Sequence, residues 1–89
     1  MAIVSLIAAH RHRLLESPKA GTASYRLFEM LPLMPRLTIE RVRQKLNTSF
    51  PTASAAVKVL ADLGILAEMT GQKKNRIYSY QPYIELLTR

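Results

Sequence analysis

The sequence predicts a mainly α-helical fold with a small β-hairpin, and three observations in its second half support that prediction. Apolar residues recur at helical spacing over 38–46 and again over 49–63, with a three-residue interruption between them. Two short runs typical of strands follow, at 65–70 and 76–80. The segment 71–75 that joins these runs carries two lysines. The order is therefore a short helix, a tight turn, a second helix and a hairpin with a basic tip.

The first helix of this pair is predicted to begin at Thr38, because threonine is a good N-cap residue. Ile39, Val42 and Leu46 then fall on one helical face. Asn47 follows, and asparagine tolerates the left-handed conformation that ends a helix. These signals bound a short amphipathic helix.

The second helix is predicted over 49–63, with Ser49 as its N-cap and Pro51 in its first turn, where the missing amide hydrogen costs little. Its apolar stripe comprises Ala53, Ala56, Val57, Leu60 and Leu63. Gly64 is placed to end the helix as a C′ glycine. The three residues between the two helices match the length that a helix-turn-helix needs.

The N-terminal part of the chain is predicted to form a further helix over 2–16, followed by a polar hinge at 17–22. We therefore predict a segment 1–18 that is a packing or dimerisation helix, or a linker from a preceding domain. The compact domain would then occupy 19–89.

A third core helix is predicted over 23–31, because Leu27, Met30 and Leu31 share one face and prolines follow. Arg36 and Leu37 are predicted to add a small third strand. The fold class predicted from these elements is a winged helix-turn-helix, with a three-helix core and a two- or three-stranded antiparallel sheet. Met30, Met34 and Met69 are expected to fill the core.

Composition narrows the class of partner. The 89-residue chain has a net charge of +7 and a pI near 10.3, which favours polyanionic partners. The apolar run within 2–16 is too short to span a bilayer, so double-stranded DNA is a better partner than a membrane. The chain has no cysteine, which excludes a disulfide framework and fits the reducing cytoplasm.

The DNA-binding prediction places the helix 49–63 in the major groove and the hairpin tip 71–76 on the neighbouring backbone or minor groove. The predicted DNA-binding residues are Arg43, Ser49, Thr52, Ser54, Ala55, Lys58, Lys73, Lys74 and Arg76. Ala55 stands where related reading helices often carry arginine, so we expect salt-sensitive binding with modest specificity. The competing interpretation is that these residues are only the solvated side of a helix and of a hairpin.

No catalytic or metal-binding set is predicted, and no cofactor. His10 and His12 lie two residues apart on a helix, so they point to different sides, and we expect a solvated face for them. The six acidic residues are scattered singly, which argues against an enzyme. Tyr78, Tyr80 and Tyr83 are expected to pack against the first helix and the C-terminal segment.

Two segments carry a resemblance to a known family: Ser49-Phe-Pro-Thr-Ala53 and Gly71-Gln-Lys-Lys-Asn-Arg-Ile-Tyr78. Together with the Leu63-Gly-Ile-Leu66 step, they resemble the C-terminal winged helix of Fic proteins (filamentation induced by cyclic AMP). The resemblance covers the chain from about residue 23 onward. It implies an accessory domain, since the sequence lacks the His-Pro-Phe motif and Gly-Asn-Gly turn with which that family transfers AMP. Any transferase activity would lie in a Fic catalytic core outside this chain.

Two functions follow from these predictions. The first is a DNA-binding module, either a transcriptional regulator or an accessory domain of a Fic-type protein, acting as a homodimer. The second is a docking or dimerisation module that regulates an attached Fic core without binding DNA. The nearly neutral surface formed by Ala55, Val59 and Ala61, and the apolar N-terminal helix, favour the second; the net charge favours the first.

Overall fold

The computed structural model describes residues 2–88, which form five α-helices and one small antiparallel sheet. The helices are α1 (Ala2–Leu15), α2 (Thr22–Met30), α3 (Ile39–Leu46), α4 (Phe50–Asp62) and α5 (Gln81–Leu87). The strands are β1 (Arg36–Leu37), β2 (Ala67–Glu68) and β3 (Tyr78–Ser79). The predicted mainly α fold with a small sheet is confirmed, and so is the third strand, β1. None of the helices in this range is both long enough and apolar enough to cross a membrane.

The α3–α4 unit has the end signals that the sequence predicted. The Thr38 side chain accepts a hydrogen bond from the amide of Arg41 at 3.1 Å, which caps α3. Asn47 adopts the left-handed conformation, with φ of 52°, and ends that helix. Ser49 then caps α4 by accepting the amide of Thr52 at 3.3 Å. The turn between the helices is three residues long, as expected.

The sheet has the order β1-β3-β2, with both pairs antiparallel. Leu37 and Glu68 both lie opposite Tyr78 in the central strand. The two hairpin strands are shorter than the predicted runs 65–70 and 76–80. For the start of the first run, the reason lies at the end of α4.

A Schellman motif ends α4. One of its hydrogen bonds uses the amide of Ile65, the first residue of the predicted strand. Gly64 has φ of +76°, its amide donates to Ala61 at 3.0 Å, and the Ile65 amide donates to Leu60 at 2.9 Å. The predicted C′ role of Gly64 is confirmed. Ile65 and Leu66 are buried in the core and begin the connection to β2.

The core lies between α1, α2, α3, α4 and the sheet. Its fully buried side chains include Leu14 from α1, Leu27 from α2, Val42 from α3 and Leu60 from α4. The prediction that Met69 fills the core is wrong, because 53% of its surface is exposed. Met30 and Met34 pack against the core but are only half-buried.

Helix α1 lies against the rest of the chain. Leu14 is fully buried, and the guanidinium of Arg11 binds the Glu29 carboxylate of α2 at 2.9 Å. The Arg13 guanidinium donates to the carbonyl oxygen of Leu63 at 2.8 Å, which ties α1 to the end of α4. The division of the chain at residue 18 stays a prediction. Within the described residues, the helix contributes to the shared core.

The expectation of a solvated face for both histidines is wrong at His10, which is only 5% exposed. Its Nδ1 lies 2.9 Å from the hydroxyl oxygen of Tyr80, and Tyr80 stacks on Tyr83 with ring centroids 5.4 Å apart. Burial raises the pKa of Tyr80 to about 12, so its hydroxyl keeps its proton at neutral pH, and the direction of its hydrogen bond with Nδ1 follows the tautomer of His10. The expected packing of these tyrosines against the first helix and the C-terminal segment is confirmed for Tyr80.

Helix α5 was not named by the sequence analysis. It spans only seven residues, and Tyr80 at its N-cap provides no side-chain hydrogen bond. A short apolar segment with weak capping has little intrinsic tendency to form a helix. In the structure, α5 makes tertiary contacts with α1.

We expect the free energy of unfolding to fall as the pH is lowered from 7 towards 5.5, because of His10. Burial, with a smaller contribution from the charge of Arg13, holds the pKa of His10 below its ordinary value. The unfolded chain therefore binds a proton at His10 more tightly, at a pKa of about 6.5, and folding loses stability as the pH falls below that value.

Urea unfolding at a series of pH values measures this effect. Much of the pH dependence in this window is expected to disappear in His10→Gln. It should persist in His12→Gln, because His12 is exposed and this substitution leaves the buried His10 in place. Equal pH dependence in wild type and His10→Gln would contradict the prediction.

Candidate nucleic-acid interface

The first half of α4 presents small polar and apolar side chains to solvent. Ser49, Thr52 and Ala55 are exposed, Ser54 is half-buried and Lys58 is exposed. The N-cap of α4 starts this surface, where the free amides of the first helical turn and the positive end of the helix dipole favour an anion. All these residues were predicted to bind DNA, and they follow one another along one helix.

Two hydroxyls are ordered at the start of α4. Ser49 accepts the amide of Thr52 and donates its own hydroxyl proton to Oγ1 of Thr52 at 2.9 Å. Because Thr52 is the acceptor in that bond, its own hydroxyl proton remains available for an outside acceptor. A phosphate oxygen or an acceptor on a base edge is such a group.

An open groove of about 510 Å³ runs beside this face of α4. Thr52, Ala55 and Val59 form one wall, and the start of α2 forms the other. Lys19 lies at the edge of the groove. A groove that includes one cation, Lys19, therefore lies between α4 and the start of α2.

A second groove, of about 310 Å³, joins the hairpin loop to the starts of α3 and α4. Thr38 and Phe50 line it from the helices, and Lys73, Lys74 and Arg76 line it from the loop. These three loop cations were predicted to bind DNA. The fold brings them to the same groove as the first residue of α4, although they lie at least 23 positions from it in the sequence.

The carboxylate of Glu68 stabilises the hairpin loop through hydrogen bonds to the loop's own amides. Glu68 accepts hydrogen bonds from the amide of Gly71 at 2.8 Å and from the amide of Thr70. The bond from Gly71 contributes most to holding the pKa of Glu68 below its ordinary value. Gly71 has φ of +68°, where a side chain would be strained. The loop is therefore fixed by an ionised carboxylate at neutral pH.

Three of the five predicted DNA-binding cations have an acidic neighbour in their own helix or hairpin. The Arg43 guanidinium binds Glu40, with Nε to Oε1 at 2.9 Å, and this bond raises the pKa of Arg43. The Lys58 ammonium lies 3.6 Å from Asp62. The Arg76 guanidinium lies 3.6 Å from Glu68 and also donates to the Gln72 carbonyl.

Lys73 and Lys74 differ from those three cations, because neither has an ion-pair partner among residues 2–88. Both are exposed. The uncompensated positive charge of the predicted site therefore lies in the hairpin loop, and α4 contributes mainly hydroxyls and helix-end amides.

Comparison with known proteins does not assign this chain to a family. No protein-family model matches the sequence, and a search of curated proteins returns no match. The resemblance to the C-terminal domain of Fic proteins stays a prediction that rests on the two motifs at 49–53 and 71–78.

Lys19 and Phe50 are among the groove residues that sequence reasoning missed. Lys19 was assigned to the polar hinge and to the start of the compact domain, and nothing local in the sequence indicates that it lies near α4. Phe50 is 51% exposed at the start of α4. No signal in the sequence indicated that Phe50 is exposed, because its spacing of three, seven and ten residues from Ala53, Val57 and Leu60 places it on the apolar face of the helix.

Proposed function

We propose that this protein is a winged helix-turn-helix domain that binds double-stranded DNA. Helix α4 would enter the major groove, and the loop 71–76 would contact the adjoining backbone or minor groove. The observation that carries the proposal is the 310 Å³ groove, which holds the two unpaired loop lysines, Lys73 and Lys74, against the start of α4. The three-residue turn between α3 and α4 and the sheet order β1-β3-β2 support the fold.

The proposed binding relies on the DNA backbone more than on base edges. Lys73 and Lys74 would neutralise phosphates, and the amides at the start of α4 would donate to another. Thr52 offers one hydroxyl donor, and Ala55 offers no polar group to a base edge. Affinity is therefore expected to depend steeply on salt and only modestly on sequence.

We further propose that DNA binding by this protein has a regulatory role. The motif resemblance supports an accessory domain of a Fic-type protein or a small transcriptional regulator built from the same module. A homodimer in the cytoplasm would let two α4 helices contact successive major-groove segments. Any transfer of AMP would be performed by a separate Fic core.

The experiment that tests DNA binding is fluorescence anisotropy with a mixed-sequence duplex over a salt series. For Lys73→Glu/Lys74→Glu we expect at least about tenfold weaker binding at low salt, and a salt slope reduced by about 2, since each phosphate contact contributes about 0.9. Arg41→Glu/Lys45→Glu is the matched control, because it changes the net charge by the same amount on α3, at residues that line neither groove of the proposed interface.

Two outcomes would contradict the proposal. One is no binding by the wild-type protein at low salt when circular dichroism shows that it is folded. The other is an equal loss in the two double variants, which would mean that net charge alone attracts the DNA.

One observation favours the second function, a docking module without DNA binding. The groove beside α4 is lined largely by apolar or small groups, including Pro51, Ala55 and Val59. Of the three residues expected to form a neutral surface, Ala55 is exposed, while Val59 and Ala61 are half-buried against the core. Absence of DNA binding by the folded protein would make docking of this groove onto an attached core the better proposal.

A further inference from the structure

An apolar pocket lies on another part of the molecule, between the end of α2 and the outer side of α3. It has a volume of about 200 Å³ and is lined by Met30, Leu33, Met34, Arg41 and Lys45. We call it the α2–α3 pocket. None of its residues belongs to either groove of the proposed DNA interface.

Leu33 is the most unusual side chain of this pocket, because 91% of its surface is exposed. The backbone holds it in place: the amides of Leu33 and Met34 both donate to the carbonyl oxygen of Met30 at 3.0 Å. Met30 and Met34 are half-buried and pack against the core. The protein thus presents an exposed leucine in an ordered turn, next to two side chains that adapt readily to a partner.

The charged rim of the pocket carries one sign only. Arg41 and Lys45 are exposed, lie one helical turn apart on α3, and have no ion-pair partner in the part of the chain that the structure describes. At 3.6 residues per turn, their midpoint lies about 150° around α3 from the midpoint of Glu40 and Arg43. Glu40 lines the groove with the hairpin loop, so the α2–α3 pocket occupies a different flank of the helix.

The size of the pocket favours one apolar anchor over a small-molecule ligand. Sites for small molecules usually measure about 300–1,000 Å³, which exceeds this pocket. A single large apolar side chain from a protein segment suits it better, since interface energy concentrates on such anchors. An amphipathic helix presents anchors of this kind at regular spacing.

We propose that the α2–α3 pocket binds an acidic amphipathic segment of a partner protein. An apolar side chain of that segment would contact Met30, Leu33 and Met34, while carboxylates one turn apart would pair with Arg41 and Lys45. The positive charges of Arg41 and Lys45 favour an acidic occupant by charge complementarity. The proposal goes beyond DNA binding and does not depend on it.

A second copy of the chain and DNA fit the pocket less well. Four of the six acidic residues pair with arginine or lysine of the same chain and Glu16 lies beside His12, which leaves Glu85 as the described acid with no such neighbour to offer a carboxylate to another copy. DNA phosphates would pair with Arg41 and Lys45. The same placement would put the apolar side chains of the pocket against the charged DNA backbone.

The test is fluorescence anisotropy with a labelled synthetic peptide in which leucines recur at helical spacing between glutamates. We expect Arg41→Glu/Lys45→Glu to weaken binding at least about tenfold and Leu33→Ser at least about fivefold, as for central interface anchors. Leu33→Ser should leave the fold intact, because the side chain is exposed. Lys73→Glu/Lys74→Glu changes net charge equally and should stay within about twofold of wild type, as expected for charges outside an interface.

Each contrary result would overturn the proposal. These results are no binding by the wild-type protein, an equal loss in the two charge-reversal variants, and undiminished binding of a peptide whose leucines are replaced by serine. Analytical ultracentrifugation supplies a further check. A dimer that Leu33→Ser dissociates would assign the pocket to a second copy and would also overturn it.

Discussion

Thr52→Glu is expected to weaken binding of duplex DNA by at least about a hundredfold, since a like charge placed against phosphate costs several kcal/mol. Thr52 is exposed on the first turn of α4, the part that the proposed complex inserts into the major groove. The substitution removes a free hydroxyl donor there and places a carboxylate against the DNA. Anisotropy with a labelled duplex at low salt measures the change.

The same substitution is expected to leave stability unchanged or slightly raised. Ser49 is the N-cap and residue 52 is the N3 position, so glutamate there completes a capping box and also interacts favourably with the helix dipole. Thermal unfolding should therefore show no decrease in Tm. Loss of DNA affinity without loss of stability separates a role at the interface from a role in folding.

Ala9→Glu is the matched control for this prediction. It makes the same change in net charge at an exposed position of α1. We expect it to keep DNA affinity within about threefold of wild type, because it is not at the interface. If Thr52→Glu behaved like Ala9→Glu, α4 would not lie in the major groove.

Leu14→Ala is expected to lower the free energy of unfolding by about 2–5 kcal/mol, the usual cost of truncating a buried leucine. The Leu14 side chain is fully buried, although it belongs to the N-terminal helix that the sequence placed outside the compact domain. Such a loss lowers Tm by about 4–8 °C per kcal/mol in a domain of this size. Urea and thermal unfolding both measure the change.

Leu15→Ala provides the comparison on the same helix. Leu15 is 62% exposed, and its replacement removes the same number of atoms. We expect a change within about 0.5 kcal/mol, as at most surface positions. If Leu14→Ala changed the free energy of unfolding as little as Leu15→Ala, α1 would not unfold together with the rest of the protein.

The ends of α3 and α4 could be predicted from the sequence because each depends on residues within one turn. Thr38 and Ser49 cap the amides three residues later, and Asn47 and Gly64 adopt positive φ values that few other residues tolerate. The strand lengths were less predictable. Ile65 looks like a strand residue by type, but its amide closes the Schellman motif of α4.

Of the candidate site, the sequence supplied the residue types but not their partners. It indicated Arg43, Lys58 and Arg76 as phosphate-binding cations, whereas each lies beside a carboxylate of its own helix or hairpin. It could not show that Lys19 borders the groove beside α4. Charge pairing depends on side-chain geometry, to which residue type and helical spacing are only a partial guide.

The amino-acid sequence by itself determined the ends of α3 and α4, the three-residue turn between them, the basic hairpin and the mainly helical fold class, because these depend on local capping, periodicity and turn chemistry. Only the tertiary structure decided that α1 joins the core, that α5 forms, and that Leu33 stands exposed beside Arg41 and Lys45. His10 illustrates the reason. Its environment is set by Tyr80, a residue 70 positions away, and burial by a distant side chain leaves no local signal.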